Sequence, residues 1–217
     1  MALPRGVKWE ERMVAIPRPG AEGASLEGIF VRGAPGNESG AIVAPPHPLY
    51  GGSMESPVVN ELAWSCARCG MASLRFNWRG VGASSGTASG EAEDAARDVA
   101  AARAHMEATV PGPLVVAGYS FGAAAALQEA AGSSRVKRLV LVAPPPALLE
   151  PGAFGALGSR RSLVLVGELD GVAPPQALAS ALEGVAGSEL VVIPQADHFF
   201  GAGLAELGRR AAEWLGR

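Results

Sequence analysis

The chain has 217 residues, 48% hydrophobic and 18% charged, with a net charge of -3. That length suits one domain with ample core, and recurrent apolar runs with little charge exclude disorder. The two lysines, Lys8 and Lys137, supply neither a P-loop Gly-Lys pair nor an evident Schiff-base pocket, and no basic stripe marks a nucleic-acid surface.

The first ten residues, Met1 to Glu10, contain no apolar core of a secretory signal. Arg12 to Ile16 and Leu26 to Val31 are β-type runs around a turn-rich Pro17-Arg18-Pro19-Gly20, which predicts an N-terminal hairpin within residues 1–35. Strands and helices then alternate across a core of residues 40–215. Strands are expected at Ala41–Ala44, Ser73–Phe76, Leu114–Gly118, Leu139–Ala143, Leu163–Gly167 and Leu190–Ile193. Helices are expected near Val58–Cys69, Glu91–Glu107, Phe121–Ala131, Pro175–Leu182 and Leu204–Trp214. Short, continuously apolar strands mean a sheet buried on both faces. The fold class is therefore α/β: a mostly parallel, doubly wound sheet with an antiparallel N-terminal hairpin, in one domain spanning 1–217.

Two features read as structure. The charge-free stretch Ala108 to Gln128 is long enough to span a bilayer, but its prolines and glycines break it into strand, turn and helix, so no membrane partner is expected. Cys66-Ala67-Arg68-Cys69 lies near a helix end with no further zinc ligands, so the pair reads as two ordinary small residues. Unpaired thiols fit a cytoplasmic location.

In open parallel sheets, functional groups collect in the loops after the strands. Gly118-Tyr119-Ser120-Phe121-Gly122 matches G-x-S-x-G between a buried strand and an alanine-rich helix, the setting that lifts a serine above a sheet edge. A second match, Gly82-Ala83-Ser84-Ser85-Gly86, lacks that setting and reads as loop. Ser120 is the candidate nucleophile.

A serine needs a base. Of three histidines, His105 sits in a charged helix, His47 follows the first core strand and His198 follows the last. Of four aspartates, Asp94 and Asp98 fall i,i+4 on a polar helix face and read as solvated, and Asp197 reads as a turn residue. Asp170 follows the Leu163–Gly167 strand, with Glu168 as the fallback acid. Ser120, Asp170 and His198 then run in the order Ser, Asp, His. Oxyanion donors are expected from the Phe121 N–H and from the loop Pro45–Gly52, with the Leu49 N–H first and Tyr50 next. His47 is expected to shape that loop, with service as the base the rival role.

These segments, together with His47-Pro48-Leu49-Tyr50-Gly51-Gly52 and Arg75-Phe76-Asn77-Trp78-Arg79-Gly80-Val81-Gly82-Ala83-Ser84-Ser85-Gly86, resemble the α/β-hydrolase superfamily. The closest likeness is to small bacterial serine hydrolases of the dienelactone-hydrolase-like type. The resemblance implies a Ser120-Asp170-His198 triad. It departs at Ser120, where dienelactone hydrolases carry Cys, and at Pro48, where many relatives carry Gly. Gly80-Val81-Gly82 lacks the remaining dinucleotide-binding signature.

The expected chemistry is hydrolysis of a small ester-like substrate through an acyl-serine, needing no cofactor or metal. Thioester, peptide or peracid chemistry on the same residues is the alternative, and a non-catalytic binding protein of the same fold is the rival class. Only Pro144 to Arg161 separates two core strands where larger relatives carry a lid, so the site should be open. Tyr50, Trp78, Phe121 and Phe199 are its candidate walls, each equally readable as core. The oligomeric state is not legible in these residues.

Overall fold

The computed structural model describes residues 9–217. Sequence readings that rest on residues 1–8, including Lys8 and the absence of a signal segment, lie outside the described residues. Eight strands form one sheet: β1 (Glu11–Pro17), β2 (Ser25–Val31), β3 (Gly40–Ala44), β4 (Ala72–Phe76), β5 (Leu114–Tyr119), β6 (Val136–Val142), β7 (Arg161–Gly167) and β8 (Ser188–Ile193). Their order is β1-β2-β4-β3-β5-β6-β7-β8. β1 pairs antiparallel with β2, and β2 pairs antiparallel with β4; every other pair is parallel. The expected hairpin thus extends the parallel sheet.

Every residue of β3, β4 and β5 is buried, as strands covered on both faces require. The covering helices are α1 (Pro57–Arg68), α2 (Ala92–Thr109), α3 (Phe121–Glu129), α4 (Pro175–Ala181) and α5 (Leu204–Leu215). α1 packs against α5 and α2 against α3, with β3 touching both α1 and α2. α3 contributes Ala123, Ala125 and Ala126 to the core, small residues that let a helix lie close to the sheet. Among the described residues no helix is long and apolar enough to cross a membrane.

Three differences from the sequence reading have local causes. The strand expected from Leu139 begins three residues earlier, at Val136: Val136 is buried, Lys137 exposed, and the Arg138 guanidinium donates to the Leu215 carbonyl at 2.8 Å. Alternation across the pleat accommodates these cations. α3 ends at Glu129 and tightens into a 3-10 turn over Ala130–Gly132. Asp98, read as solvated, is 1% exposed. Its carboxylate accepts from the Arg79 guanidinium at 2.8 Å and from the Arg79 backbone N–H at 3.0 Å, and Arg18 lies 3.4 Å away. Helical spacing alone does not reveal a partner carried on another loop.

The chain runs outward from β3 to β4 on one side and from β5 to β8 on the other. This reversal opens a crevice at the carboxyl ends of β3 and β5, where ligands bind in such sheets. The connection from β6 to β7 holds only the 3-10 turns Pro146–Leu148 and Ala153–Leu157, so no lid covers the crevice.

Candidate active site

Ser120 stands between β5 and α3 with φ 54° and ψ -119°. A non-glycine residue there stores about 1–3 kcal/mol of backbone strain, held by its surroundings. Its N–H donates to the Val142 carbonyl at 2.8 Å, and its carbonyl accepts from Ala123 and Ala124 at 2.9 and 3.2 Å. The reversal is tight enough that a Cβ on Gly118 would overlap the Gly122 carbonyl, and one on Gly122 would overlap the Pro45 carbonyl. Both glycines are therefore sterically required. The rival match has another role: the buried Ser84 hydroxyl accepts the Glu27 N–H at 2.9 Å and donates to the Asn77 carbonyl at 2.8 Å.

The structure brings Ser120, His198 and Asp170 into one line. Ser120 Oγ lies 2.9 Å from His198 Nε2, and His198 Nδ1 lies 2.8 Å from Asp170 Oδ2. All three side chains are buried. The other carboxylate oxygen, Asp170 Oδ1, accepts the N–H groups of Val172 at 2.9 Å and Ala173 at 2.7 Å. Those bonds fix the carboxylate plane. An ionised carboxylate only accepts, so it selects the proton on Nδ1 and leaves Nε2 to accept the Ser120 hydroxyl proton.

The neighbouring acids fall elsewhere. Glu168 accepts the Gln195 N–H at 2.9 Å, and Asp197 accepts the Phe199 N–H at 3.1 Å in a turn. His105 stays half-buried in α2, where burial pulls its pKa down. The fallback acid thus braces the loop that carries His198.

The Phe121 N–H opens α3 and has no acceptor among the described residues, as the first N–H groups of a helix do not. The second expected donor is engaged. The Leu49 N–H donates to His47 Nδ1 at 3.2 Å, and the Tyr50 N–H donates to the His47 carbonyl at 3.1 Å. His47 therefore caps the short 3-10 turn Pro48–Tyr50 and makes no contact of the kind His198 makes with Ser120. Burial lowers its pKa, which favours the neutral, accepting ring. Its ring packs on Tyr50 and Phe121, each 4.6 Å between centroids.

Two of the expected walls belong to the core. Trp78 is 1% exposed, and its indole N–H donates to the carbonyls of Pro46 (2.8 Å) and Pro45 (3.2 Å), bracing the loop after β3 from beneath. Phe121 is buried against Trp78 and His47. Tyr50 and Phe199 are 86% and 74% exposed and stand on the rim.

Tyr119 escaped the sequence reading. Its hydroxyl donates to the His198 backbone carbonyl at 2.8 Å. Burial, with the charges of Asp170 and Asp197, pushes its pKa up to about 12, so it remains a donor. A phenol in the last position of the strand before the serine was the available signal.

The geometry has relatives. The family model described as alpha/beta hydrolase fold matches residues 47–156. The structure is similar to that of an alpha-beta serine hydrolase homologue from Coxiella burnetii, with 29% identity, a TM-score of 0.81 and coverage of 95% of this chain and 97% of that one. It is also similar to XC6422 from Xanthomonas campestris, an a/b serine hydrolase without lid, with 28% identity, a TM-score of 0.80 and coverage of 94% and 93%. By sequence, the uncharacterized protein RP471 of Rickettsia prowazekii (strain Madrid E) is 27% identical over 209 residues, 90% of this chain and 86% of that protein. Taken with the sheet order, the elbow and the short β6–β7 connection, these matches make the chain a small, lid-less member of the alpha/beta hydrolase fold family, which supports a hydrolase activity.

Proposed function

We propose that this protein is a serine esterase that cleaves an ester-like substrate through an acyl-enzyme. The observation that carries the reading is the pair of contacts running Ser120 Oγ, His198 Nε2, His198 Nδ1, Asp170 Oδ2 at 2.9 and 2.8 Å. In this mechanism Ser120 Oγ attacks the acyl carbon while His198 Nε2 accepts its proton. The developing oxyanion is held by the Phe121 N–H and, once turned from His47, by the Leu49 N–H, a donor of this kind contributing about 2.7–4 kcal/mol. His198 then protonates the departing alkoxide. In the second half it takes a proton from water, hydroxide adds to the acyl carbon, and Ser120 leaves with the proton returned.

The chain acts in this reading as one domain, working on a small molecule without a metal or cofactor. A cytoplasmic setting suits its two free thiols. Hydrolysis of 4-nitrophenyl acetate tests the activity: Ser120→Ala and His198→Ala should each lower kcat by roughly 10³-fold or more with unchanged melting temperature. Equal rates in the wild type and both variants would refute it.

A further inference from the structure

The protein has eight exposed large apolar side chains among the described residues, and six of them, Leu49, Tyr50, Leu148, Leu169, Val172 and Phe199, stand on loops at the catalytic edge of the sheet. Their distribution marks this edge as a surface for an apolar ligand. Beside it lies a groove of about 480 Å³, within the range of small-molecule sites. Its floor and walls are mostly aliphatic, with Ala92, Ala95, Ala124 and Ala125 from α2 and α3, and Leu149 and Ala153 from the β6–β7 connection. Gln128 and Glu150 are its polar members. The groove borders the elbow through Phe121, the residue after Ser120, and borders the loop after β3 through Gly90, where a Cβ would come within 2.8 Å of the His47 ring.

The direction of the chemistry assigns the groove to one side of the substrate. His198 must hand its proton to the leaving oxygen, so the leaving group lies toward the loops after β7 and β8. No residue of those loops lines the groove. It therefore opens on the other side of the carbonyl, where the acyl chain extends.

Charge narrows the class further. The loops 45–56, 143–159, 168–174 and 194–203 contain no Lys or Arg. They expose Glu150, Glu168 and Asp197, and Glu91 stands exposed at the start of α2. Among the described residues, the two arginines near this edge, Arg18 and Arg79, are committed to Asp98, and Arg79 also to Asp94. A phosphate-rich or carboxylated substrate would meet repulsion with no unpaired cation to offset it.

Resting on the esterase reading above, we infer that the substrate is an uncharged ester with an extended aliphatic acyl arm that lies in the alanine-lined groove, and that coenzyme A thioesters are poor substrates. The test compares 4-nitrophenyl acetate, 4-nitrophenyl octanoate and octanoyl-coenzyme A, in the wild type and in Ala124→Leu, which fills the groove with a residue that suits a helix. The wild type should show an octanoate-to-acetate ratio of kcat/KM of about tenfold or more, and Ala124→Leu should cut that ratio by about tenfold. Octanoyl-coenzyme A should be turned over at least about 100-fold less efficiently than the octanoate ester. An unaltered ratio in Ala124→Leu, or efficient coenzyme A thioester hydrolysis, would overturn the inference. Calorimetric binding of methyl octanoate to Ser120→Ala separates this from a failure of the esterase reading. Binding that Ala124→Leu abolishes supports the groove even without turnover; no binding, or binding that this change leaves intact, overturns it.

Discussion

The Tyr119 hydroxyl donates to the backbone carbonyl of His198 at 2.8 Å, so the residue preceding the serine holds the loop that carries the imidazole. That loop needs holding. Gln195 and Phe200, on either side of His198, both have positive φ (58° and 53°). Relaxation of either would swing the ring away from Ser120 Oγ. Tyr119→Phe keeps the ring packing and removes only the tether. It should lower kcat about 3- to 30-fold with KM unchanged, as expected where a misplaced base costs only the chemical step. Steady-state kinetics on 4-nitrophenyl acetate check the split; a raised KM with intact kcat would contradict the positioning role.

Asp170→Asn tests the other end of the relay. An asparagine Oδ1 can still accept the Val172 and Ala173 N–H groups, so the fold should persist. Its amide NH2, turned toward His198 Nδ1, donates and selects the wrong tautomer. A fall in kcat on the order of 10⁴-fold is expected, the size attached to this change in a Ser-His-Asp enzyme. Circular dichroism melting beside the kinetics separates the tautomer effect from unfolding.

The alignment of Ser120, His198 and Asp170 was legible because His and Asp are scarce: three and four candidates could be weighed one at a time against strand ends. The parallel strands were legible because burial on both faces leaves unbroken apolar runs. Asp98 was not, since i,i+4 spacing with Asp94 looks the same whether the face meets water or an arginine from another loop. Trp78 and Tyr50 were equally open to a core or a pocket role, and only their burial, 1% against 86% exposed, divides them. The capture of the Leu49 N–H by His47 depends on side-chain rotation, which no motif encodes.

Asp98 supports a strong stability prediction. Asp98→Ala would leave Arg79, whose side chain is 11% exposed, without its main partner, and breaking a largely buried pair this way costs about 3–5 kcal/mol. At about 2–4 °C per kcal/mol for a chain of this size, melting should fall by roughly 6–20 °C. A drop of less than about 2 °C would show the pair to be no more than a surface contact.

His47 gives a pH dependence with a definite sign. Burial holds its folded pKa below the ordinary value, so the unfolded chain takes up the proton first as pH falls. Its contribution to stability is complete above about pH 6.5 and is lost as pH drops through the lower folded value. Protonation also converts Nδ1 from acceptor to donor and breaks the bond from the Leu49 N–H. His105 carries a shift of the same sign and adds to the trend. Melting temperature measured from pH 7.5 to 5 should therefore fall less steeply in His47→Gln than in the wild type. Equal slopes would remove His47 from the account.

The central claim is that Ser120 forms the covalent intermediate, and intact-protein mass spectrometry after treatment with a fluorophosphonate addresses it most directly. A single adduct is expected on the wild type, mapped by peptide sequencing to Ser120, absent in Ser120→Ala and strongly slowed in His198→Ala. No adduct on the wild type, or the same labelling in Ser120→Ala, would contradict it.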